Sequence, residues 1–432
     1  MNVTAGFAAL GILLVLLALQ VPIGVALILV SFGGIWFLLG LTPAVGILSA
    51  TPYEFIASWT LSAVPMFLLM GFVAYHSGLT TGLFDAAKIA TRKVPGGLGL
   101  AAIFGCTGFA AVSGSSIACA ATMGRIAIPE MVRAGYRPSF SAGILAAGGT
   151  VGALIPPSIL MIVYGVFAET SITQVFLGGI SVGILTAISY SLVVILVAVF
   201  RKDIIPNEPA ATDHIDGRGL LRDVVPLILL IVLVFGGLFG GLFTATEAGA
   251  IGAAGAIVIA TVVGRLSWAG FRAALLETLG TCAALFIIGA GAAMFTRFLG
   301  LSGVAGFLNS TVSGLDLGYF GLMAVVVLIY ILIGMFLEPF GAMLITLPIL
   351  LPIFETQGID LIWFGVLLVK LLEVGMITPP LGMNVFIIRS VAANHVSLGD
   401  VFKGALFFIG ADIVVIALMI AFPDLVMFLP NL

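Results

Sequence analysis

Read from its N-terminus, the chain is a succession of apolar runs near residues 4–19, 21–40, 55–77, 138–168 and 174–200, parted by short polar or glycine-proline punctuation. Such runs read as helices that cross a bilayer, because about 20 residues at ~1.5 Å each match the roughly 30 Å hydrocarbon core. The first two are hinged at Pro22. Between the third and fourth lies 97–134, an apolar segment split by Ser113-Gly114-Ser115-Ser116 into halves of about 16–18 residues. Each half would span roughly 24–27 Å, short of a crossing, so the pattern predicts a re-entrant hairpin with its tip inside the membrane. Residues 201–223 mix both charge signs with Pro206, Pro209 and Gly217, which predicts a solvated linker. Beyond it come crossings near 224–243, 247–264 and 278–298, a second hairpin at 320–357, and crossings at 360–388 and 400–429.

Two of the crossings, 138–168 and 360–388, carry the same interruption midway: Val151-Gly152-Ala153-Leu154-Ile155-Pro156-Pro157 and Val374-Gly375-Met376-Ile377-Thr378-Pro379-Pro380. Paired prolines remove backbone donors and clash with the preceding turn, so each helix must break there. In hydrocarbon an irregular backbone survives only where it is buried in protein or lines a watery cavity. Two mid-membrane breaks therefore point to a solute or ion site.

The breaks belong to a longer repeat. At an offset of 223 residues, Ile126, Pro129, Gly135, Leu145, Val151, Gly152, Pro156 and Pro157 match Ile349, Pro352, Gly358, Leu368, Val374, Gly375, Pro379 and Pro380 without gaps. A composition this biased gives roughly three such identities by chance over this stretch, and four of the eight fall in the breaks. An odd number of crossings separates the copies, so they lie in opposite orientation. The expected fold is an all-α polytopic membrane protein with an inverted-topology repeat. Its parts are a first half at 1–200 (hairpin 97–134, broken helix 138–168), a linker at 201–223, and a second half at 224–432 (hairpin 320–357, broken helix 360–388).

Composition agrees. With 62% hydrophobic and 8% charged residues in 432, and a mean hydropathy of +1.32, no soluble core could hide this much apolar surface. The net charge of −3 gives no footing for nucleic acid. The first basic residue is Lys88, so the N-terminus lacks the basic region of a cleavable signal, and the first helix is expected to stay in the mature chain. Cys106, Cys119 and Cys282 sit singly in apolar runs and read as small packing residues.

Basic residues set the orientation. Placing the N-terminus outside puts Lys88, Arg92, Lys93, Arg133, Arg137, Arg201, Lys202, Arg218, Arg222, Arg265, Arg272, Arg389 and Lys403 at the cytoplasmic face, while the opposite loops (41–54, 169–173, 243–247, 299–319, 355–360) contain no Lys or Arg. Arg297 alone counts against it. Both termini are then periplasmic. The segment from Thr80 to Gly96 reads as an interfacial arm with its basic face toward anionic lipid, or as an ordinary helical connector.

At this point the residues carry a resemblance. Val112-Ser113-Gly114-Ser115-Ser116-Ile117-Ala118, the break from Gly152 to Ser158, Phe243-Thr244-Ala245-Thr246-Glu247-Ala248, Gly334-Met335-Phe336-Leu337-Glu338-Pro339, and Gly375-Met376-Ile377-Thr378-Pro379-Pro380-Leu381-Gly382-Met383-Asn384, in this order, resemble the large membrane subunit of tripartite ATP-independent periplasmic (TRAP) transporters. The likeness spans essentially the whole chain. It implies a bacterial inner-membrane permease for sodium-driven import of organic acids, carboxylates or sialic acids, by an elevator motion. It also implies a small four-helix membrane subunit and a soluble periplasmic substrate-binding protein as partners. In some relatives the small subunit is fused ahead of this one; residues 1–4 leave no room for it, so a separate chain is expected.

The chemistry of the breaks agrees. Helix N-terminal ends at mid-depth suit a carboxylate, and carbonyls at C-terminal ends suit Na⁺. Ser113, Ser115, Thr150, Gly152 and Pro156 are expected around one sodium, and Glu338, Gly375, Thr378 and Pro379 around its repeat-related twin, with carbonyls supplying most contacts. The solute would touch Ser116, Pro157, Pro380 and Asn384. Any single Ser or Gly also suits plain helix packing. Glu338 aligns with Ser115, and an ionised carboxylate at depth costs ~2.5–3.5 kcal/mol even on the lenient insertion scale, which favours a functional role. Arg125 would either answer the solute's charge or snorkel to the cytoplasm. Lys370 and Glu373, three apart, read as a structural ion pair rather than a proton relay. The crossings near 4–40, 55–77, 174–264 and 400–429 would form a frame along which hairpins and broken helices slide.

Other classes fare worse. There is no Gly-Lys pair for a phosphate-binding loop, so ATP coupling would need another chain. An intramembrane hydrolase would need a base beside Ser115 or Ser116, yet His76, His214 and His395 fall at crossing ends or in the linker. No enzyme and no cofactor is expected. A self-sufficient sodium-carboxylate carrier of the same architecture is the alternative.

Overall fold

The computed structural model describes residues 2–206, 217–315 and 317–432, and these are helical throughout, with no strand among them. The first half runs α1 (Val3–Ala18), α2 (Ile23–Leu39), α3 (Leu41–Ile56), α4 (Ala63–His76), α5 (Gly82–Thr91), α6 (Gly97–Ser113), α7 (Ser116–Arg133), α8 (Pro138–Thr150), α9 (Ile159–Phe167) and α10 (Ile172–Phe200). The second runs α11 (Gly217–Phe239), α12 (Ala245–Val262), α13 (Trp268–Ser302), α14 (Val304–Gly314), α15 (Gly318–Gly334), α16 (Pro339–Thr356), α17 (Leu361–Gly375), α18 (Met383–Val391), α19 (Leu398–Ala421) and α20 (Asp424–Met427).

Boundaries follow local chemistry. Ser115, Ser158, Ser171, Ser267 and Asp360 cap α7, α9, α10, α13 and α17 by accepting from a first-turn N–H. Thr244 with Glu247, and Ser397 with Asp400, close reciprocal capping boxes on α12 and α19. The Thr244 to Glu247 portion of the sequence motif is thereby a helix start. Among the described residues, six helical spans, α16 included, are long and apolar enough to cross a membrane. Outward residues such as Ile188, Leu192, Leu229 and Val232 are exposed apolar surface, as lipid contact requires.

The 223-residue offset recurs in the helix boundaries: α7 and α16 are both 18 residues long, and Ser116 and Pro339 open them in register. Helices α2 and α12, α5 and α14, and α8 and α17 also start within one residue of that offset.

Three segments differ from the pattern reading. Residues 41–54, taken as a loop, lie within α3. Its polar Thr, Ser and Glu content resembles a loop, yet it packs on α2 and α13, and its Glu54 meets Arg297 at 2.5 Å. The basic residue that counted against the orientation is thus an ion-pair partner. Residues 299–319 hold the end of α13 and all of α14 rather than a plain loop. The linker is shorter than 201–223, because α11 begins at Gly217. Ile204 and Ile205 are buried, and the Ile204 carbonyl accepts from Arg137 N–H at 2.9 Å. Arg201, exposed beside it, holds the Asp203 carboxyl below its ordinary range. The stretch with Pro209 and His214, expected to be solvated, lies outside the described residues.

The arm is α5. Lys88 binds Asp85 and Glu130, each at 2.9 Å, so its charge is spent on the first hairpin rather than on lipid, while Arg92 and Lys93 stay exposed. Arg265 pairs with Asp223 and donates to Gly78 O at 3.3 Å, tying the turn before α5 to α11 and α12.

Candidate functional site

Each hairpin tip rests on the break of its own half. Between α6 and α7 the chain turns at Gly114, whose φ of +60° favours glycine. A Cβ there would lie 1.9 Å from Pro157 O, so only a residue without a side chain lets the tip touch the break. Gly152 faces the same tip, its added Cβ falling 3.1 Å from Ser115 O. In the second half a Cβ on Gly375 would sit 2.7 Å from Gly334 Cα, backbone against backbone. Residues Val151–Ala153 form a 3-10 turn, and the Pro156-Pro157 and Pro379-Pro380 peptides are cis.

The two halves then meet across a cavity of about 470 Å³. Its walls are the first tip from Ser113 to Ala118, the second tip at Glu338 to Phe340, Ala153 and Ile159 of the first break, and Glu373 and Met376 of the second. Helices α4, through Gly71 and Tyr75, and α13, through Glu277 and Thr281, close the far side. Among the described residues, three acidic side chains line it, Glu277, Glu338 and Glu373, and no Lys, Arg or His does. Glu277 is half-exposed and lies 3.2 Å from His76 Nε2. Glu373 is fully buried: its Oε1 accepts from Ser116 Oγ at 3.1 Å, and its Oε2 has no hydrogen-bond partner. Ser113 Oγ is likewise buried and unpartnered. Unsatisfied oxygens buried at a cavity wall are acceptors awaiting a cation or a donor.

The expected sodium ligands are distributed as follows. Ser113, Ser115 and Gly152 come together where the first tip meets its break, and Thr150 ends α8 one step before that break. Pro156 is buried in the same break. Glu338 stands at the N-cap of α16, in register with Ser115 at the N-cap of α7, and Gly375 packs under the second tip. Thr378 is half-buried, its Oγ1 donating to Val374 O at 2.7 Å, and Pro379 is exposed.

Of the expected solute contacts, Ser116 lines the cavity, whereas Pro157, Pro380 and Asn384 do not. Pro157 is buried against Gly114, and Pro380 is exposed. Asn384 is buried, its Nδ2 donating to Ala146 O at 3.4 Å. Arg125 is exposed and is not among the residues that line the cavity.

The Lys370–Glu373 pairing is also corrected. Lys370 Nζ lies 2.5 Å from Asp412 Oδ1 on α19 and 3.2 Å from Thr186 Oγ1 on α10, all at zero exposure, while Glu373 turns to the first hairpin. Helical spacing put Lys370 and Glu373 within reach, but a stronger partner faced Lys370 from another helix. Asp412, the lone acid inside 400–429 apart from those at its ends, was the available signal, since an intramembrane acid and an intramembrane lysine tend to find each other. Tyr190, Gly71 and Glu277 carried no comparable mark.

Close backbone contacts also bring α10 and α19, expected on the frame, against the broken helices. Gly404 packs against Ser139 O of α8, where an added Cβ would lie at 1.9 Å, and Gly179 packs at 2.6 Å from Leu154 O of the first break. The 1.9 and 2.6 Å are distances an added Cβ would have, and such room for close backbone approach is how small residues bind membrane helices together. Helices α10 and α19 thus pack on the broken helices, while α4 and α13 close the far side of the cavity.

Comparison with known proteins gives a consistent result. The family described as "Tripartite ATP-independent periplasmic transporter, DctM component" matches residues 10–425. The C4-dicarboxylate TRAP transporter large permease protein DctM of Pseudomonas aeruginosa is 35% identical over 404 residues, 91% of this chain and 93% of that protein. The sialic acid TRAP transporter large permease protein SiaM of Vibrio cholerae is 31% identical over 420 residues, 96% of each. The crystal structure of the Alcanivorax borkumensis YdaH transporter aligns with a TM-score of 0.63 at 15% identity, covering 88% of each chain, and so shares the fold.

Proposed function

The chain belongs to the TRAP transporter large-permease family, a multi-pass inner-membrane permease and not an enzyme, and on that premise we propose that it imports a small organic acid together with sodium. The solute class is supported by the names of the relatives, which specify C4-dicarboxylate and sialic acid. A small four-helix membrane subunit and a periplasmic binding protein complete the transporter.

One observation carries the sodium coupling: among the described residues, the cavity between the hairpin tips is lined by three acidic side chains and no basic one. An organic anion entering a low-dielectric pocket lined by acidic side chains finds no countercharge there unless cations precede it. Sodium bound where each tip meets its break supplies that charge. Ser113, Ser115, Thr150, Gly152 and Pro156 hold one ion; Glu338, Gly375 and Thr378 hold the other, with Pro379 contributing from the exposed edge. Carbonyls and hydroxyls are the hard oxygen donors such an ion takes. Ser116 stands at the solute, and the unpartnered oxygen of Glu373 is a further acceptor for sodium.

The two halves form an inverted repeat with re-entrant hairpins, supported by the recurrence of helix boundaries at one offset. With both termini periplasmic, the cavity end at Tyr75 and Glu277 is cytoplasmic, and the conformation is inward-facing. Motion is of elevator type: α6–α10 and α15–α19 move as one body past α1–α4 and α11–α13. A site built from both halves cannot open by parting them without losing its own ligands, which argues against a rocking motion.

The test is solute uptake into proteoliposomes holding the chain and its small subunit, over a panel of organic acids, with and without binding protein. Uptake of one acid that requires the binding protein supports the proposal. Equal uptake without it would make the chain a self-sufficient carrier.

A further inference from the structure

Four helices meet at a fully buried polar knot beside the first break. Thr150 comes from α8, Thr186 and Tyr190 from α10, Lys370 from α17 and Asp412 from α19, and all have essentially no solvent exposure. Lys370 Nζ donates to Asp412 Oδ1 at 2.5 Å and to Thr186 Oγ1 at 3.2 Å. It also lies 5.5 Å from the Tyr190 ring centroid. The Tyr190 hydroxyl is 2.8 and 2.9 Å from the two Asp412 oxygens and 3.2 Å from Thr150 Oγ1.

Hydrogen counting gives this chain a direction. Asp412, paired with an ammonium, only accepts, and Tyr190 has a single proton. That proton goes to Asp412, because hydrogen bonds to a charged acceptor are the stronger ones. Tyr190 therefore presents only lone pairs to Thr150. The Thr150 proton is directed to Tyr190 O or to Ala147 O, which lies 2.6 Å away. In both arrangements the two lone pairs of Thr150 stay free.

We propose that Asp412 and Tyr190, held by Lys370, are positioning residues that keep Thr150 an acceptor toward a cation at the first break. This rests on Thr150 being a sodium ligand, as in the function proposed above. It explains why a charged pair is kept at this depth, where apolar residues of similar volume would pack as well. Neutralising the pair while keeping its shape, as in Lys370→Met with Asp412→Asn, gives Tyr190 a partner that is both donor and acceptor. The tyrosyl proton can then turn onto Thr150 and occupy a lone pair the cation needs.

The test measures sodium-dependent thermal stabilisation of the full chain in lipid nanodiscs, with thermal stability in choline as the baseline for structural damage. Thr150→Val should raise the half-stabilising sodium concentration roughly tenfold, the loss of one good ligand. Lys370→Met with Asp412→Asn should raise it roughly five- to tenfold beyond any change in the choline baseline. Adding Tyr190→Phe to that double variant should restore most of the sodium response, because the misdirected proton is gone. A purely structural knot predicts the opposite, a further loss on adding Tyr190→Phe, and that result would overturn the proposal while leaving the sodium site intact. An unchanged sodium response in Thr150→Val would instead overturn the ligand assignment, and the proposal with it.

Discussion

Ser116 Oγ donates to Glu373 Oε1 at 3.1 Å, joining the tip of the first hairpin to the broken helix of the other half, 257 positions away. The second oxygen of Glu373 has no partner and the residue lines the cavity. One side chain thus touches both halves of the site and still has an acceptor to offer.

Glu373→Gln keeps the shape and removes the charge. Half-saturating sodium for uptake should rise about tenfold, a loss of ~1.4 kcal/mol in cation binding, while Ser116→Ala, which removes one hydrogen bond worth about 1 kcal/mol, should shift it less. Uptake measured against sodium concentration checks both. A sodium curve unmoved by Glu373→Gln would remove this residue from the site.

Gly114→Ala should reduce uptake by more than tenfold with the protein still inserted, because a Cβ would fall 1.9 Å from Pro157 O at a φ of +60°. Such backbone misfit costs about 1–3 kcal/mol. Gly300→Ala, with nothing within 4 Å of an added Cβ, is the matched control and should transport normally.

Much of this was legible beforehand. Paired prolines break helices wherever they fall, so both breaks stood out in pattern alone, as did the turns that divide 97–134 and 320–357 into paired helices of 17 and 18 residues. The family resemblance rested on the same glycines and prolines that pack the tips. What stayed hidden depended on which helix faces which. Lys370 had Glu373 three residues away, and only the fold shows that Asp412 is nearer. Asn384 and Arg125 carried suitable chemistry, but one is buried against α8 and the other faces outward. Helix α3 stayed hidden because its polar content reads as a loop, and only the fold shows Glu54 paired with Arg297 of another helix.

Orientation is tested by single cysteines and an impermeant thiol reagent. Ser310→Cys, exposed on α14, should react from outside intact cells, and Lys202→Cys, exposed after α10, should react only after permeabilisation. Labelling of Lys202→Cys from outside would invert the topology.

The moving body is tested by cross-links. Gly71 of α4 approaches the first tip, where an added Cβ would lie 3.1 Å from Ser113 Cα, so a disulfide between Gly71→Cys and Ser113→Cys should abolish uptake reversibly. Phe140 of α8 and Phe408 of α19 have ring centroids 5.8 Å apart within the proposed moving body. A short thiol-reactive bridge between cysteines at those two positions should leave uptake running. The reverse pattern would contradict the elevator division.

The central claim is that sodium entry makes a carboxylate-lined cavity receptive to an organic acid. Its most direct test is uptake of labelled solute into proteoliposomes at fixed pH, with the binding protein present, under an inward sodium gradient and then with sodium replaced by choline. Uptake should fall to the level of empty vesicles in choline and return when sodium is restored. An undiminished rate in choline would contradict it.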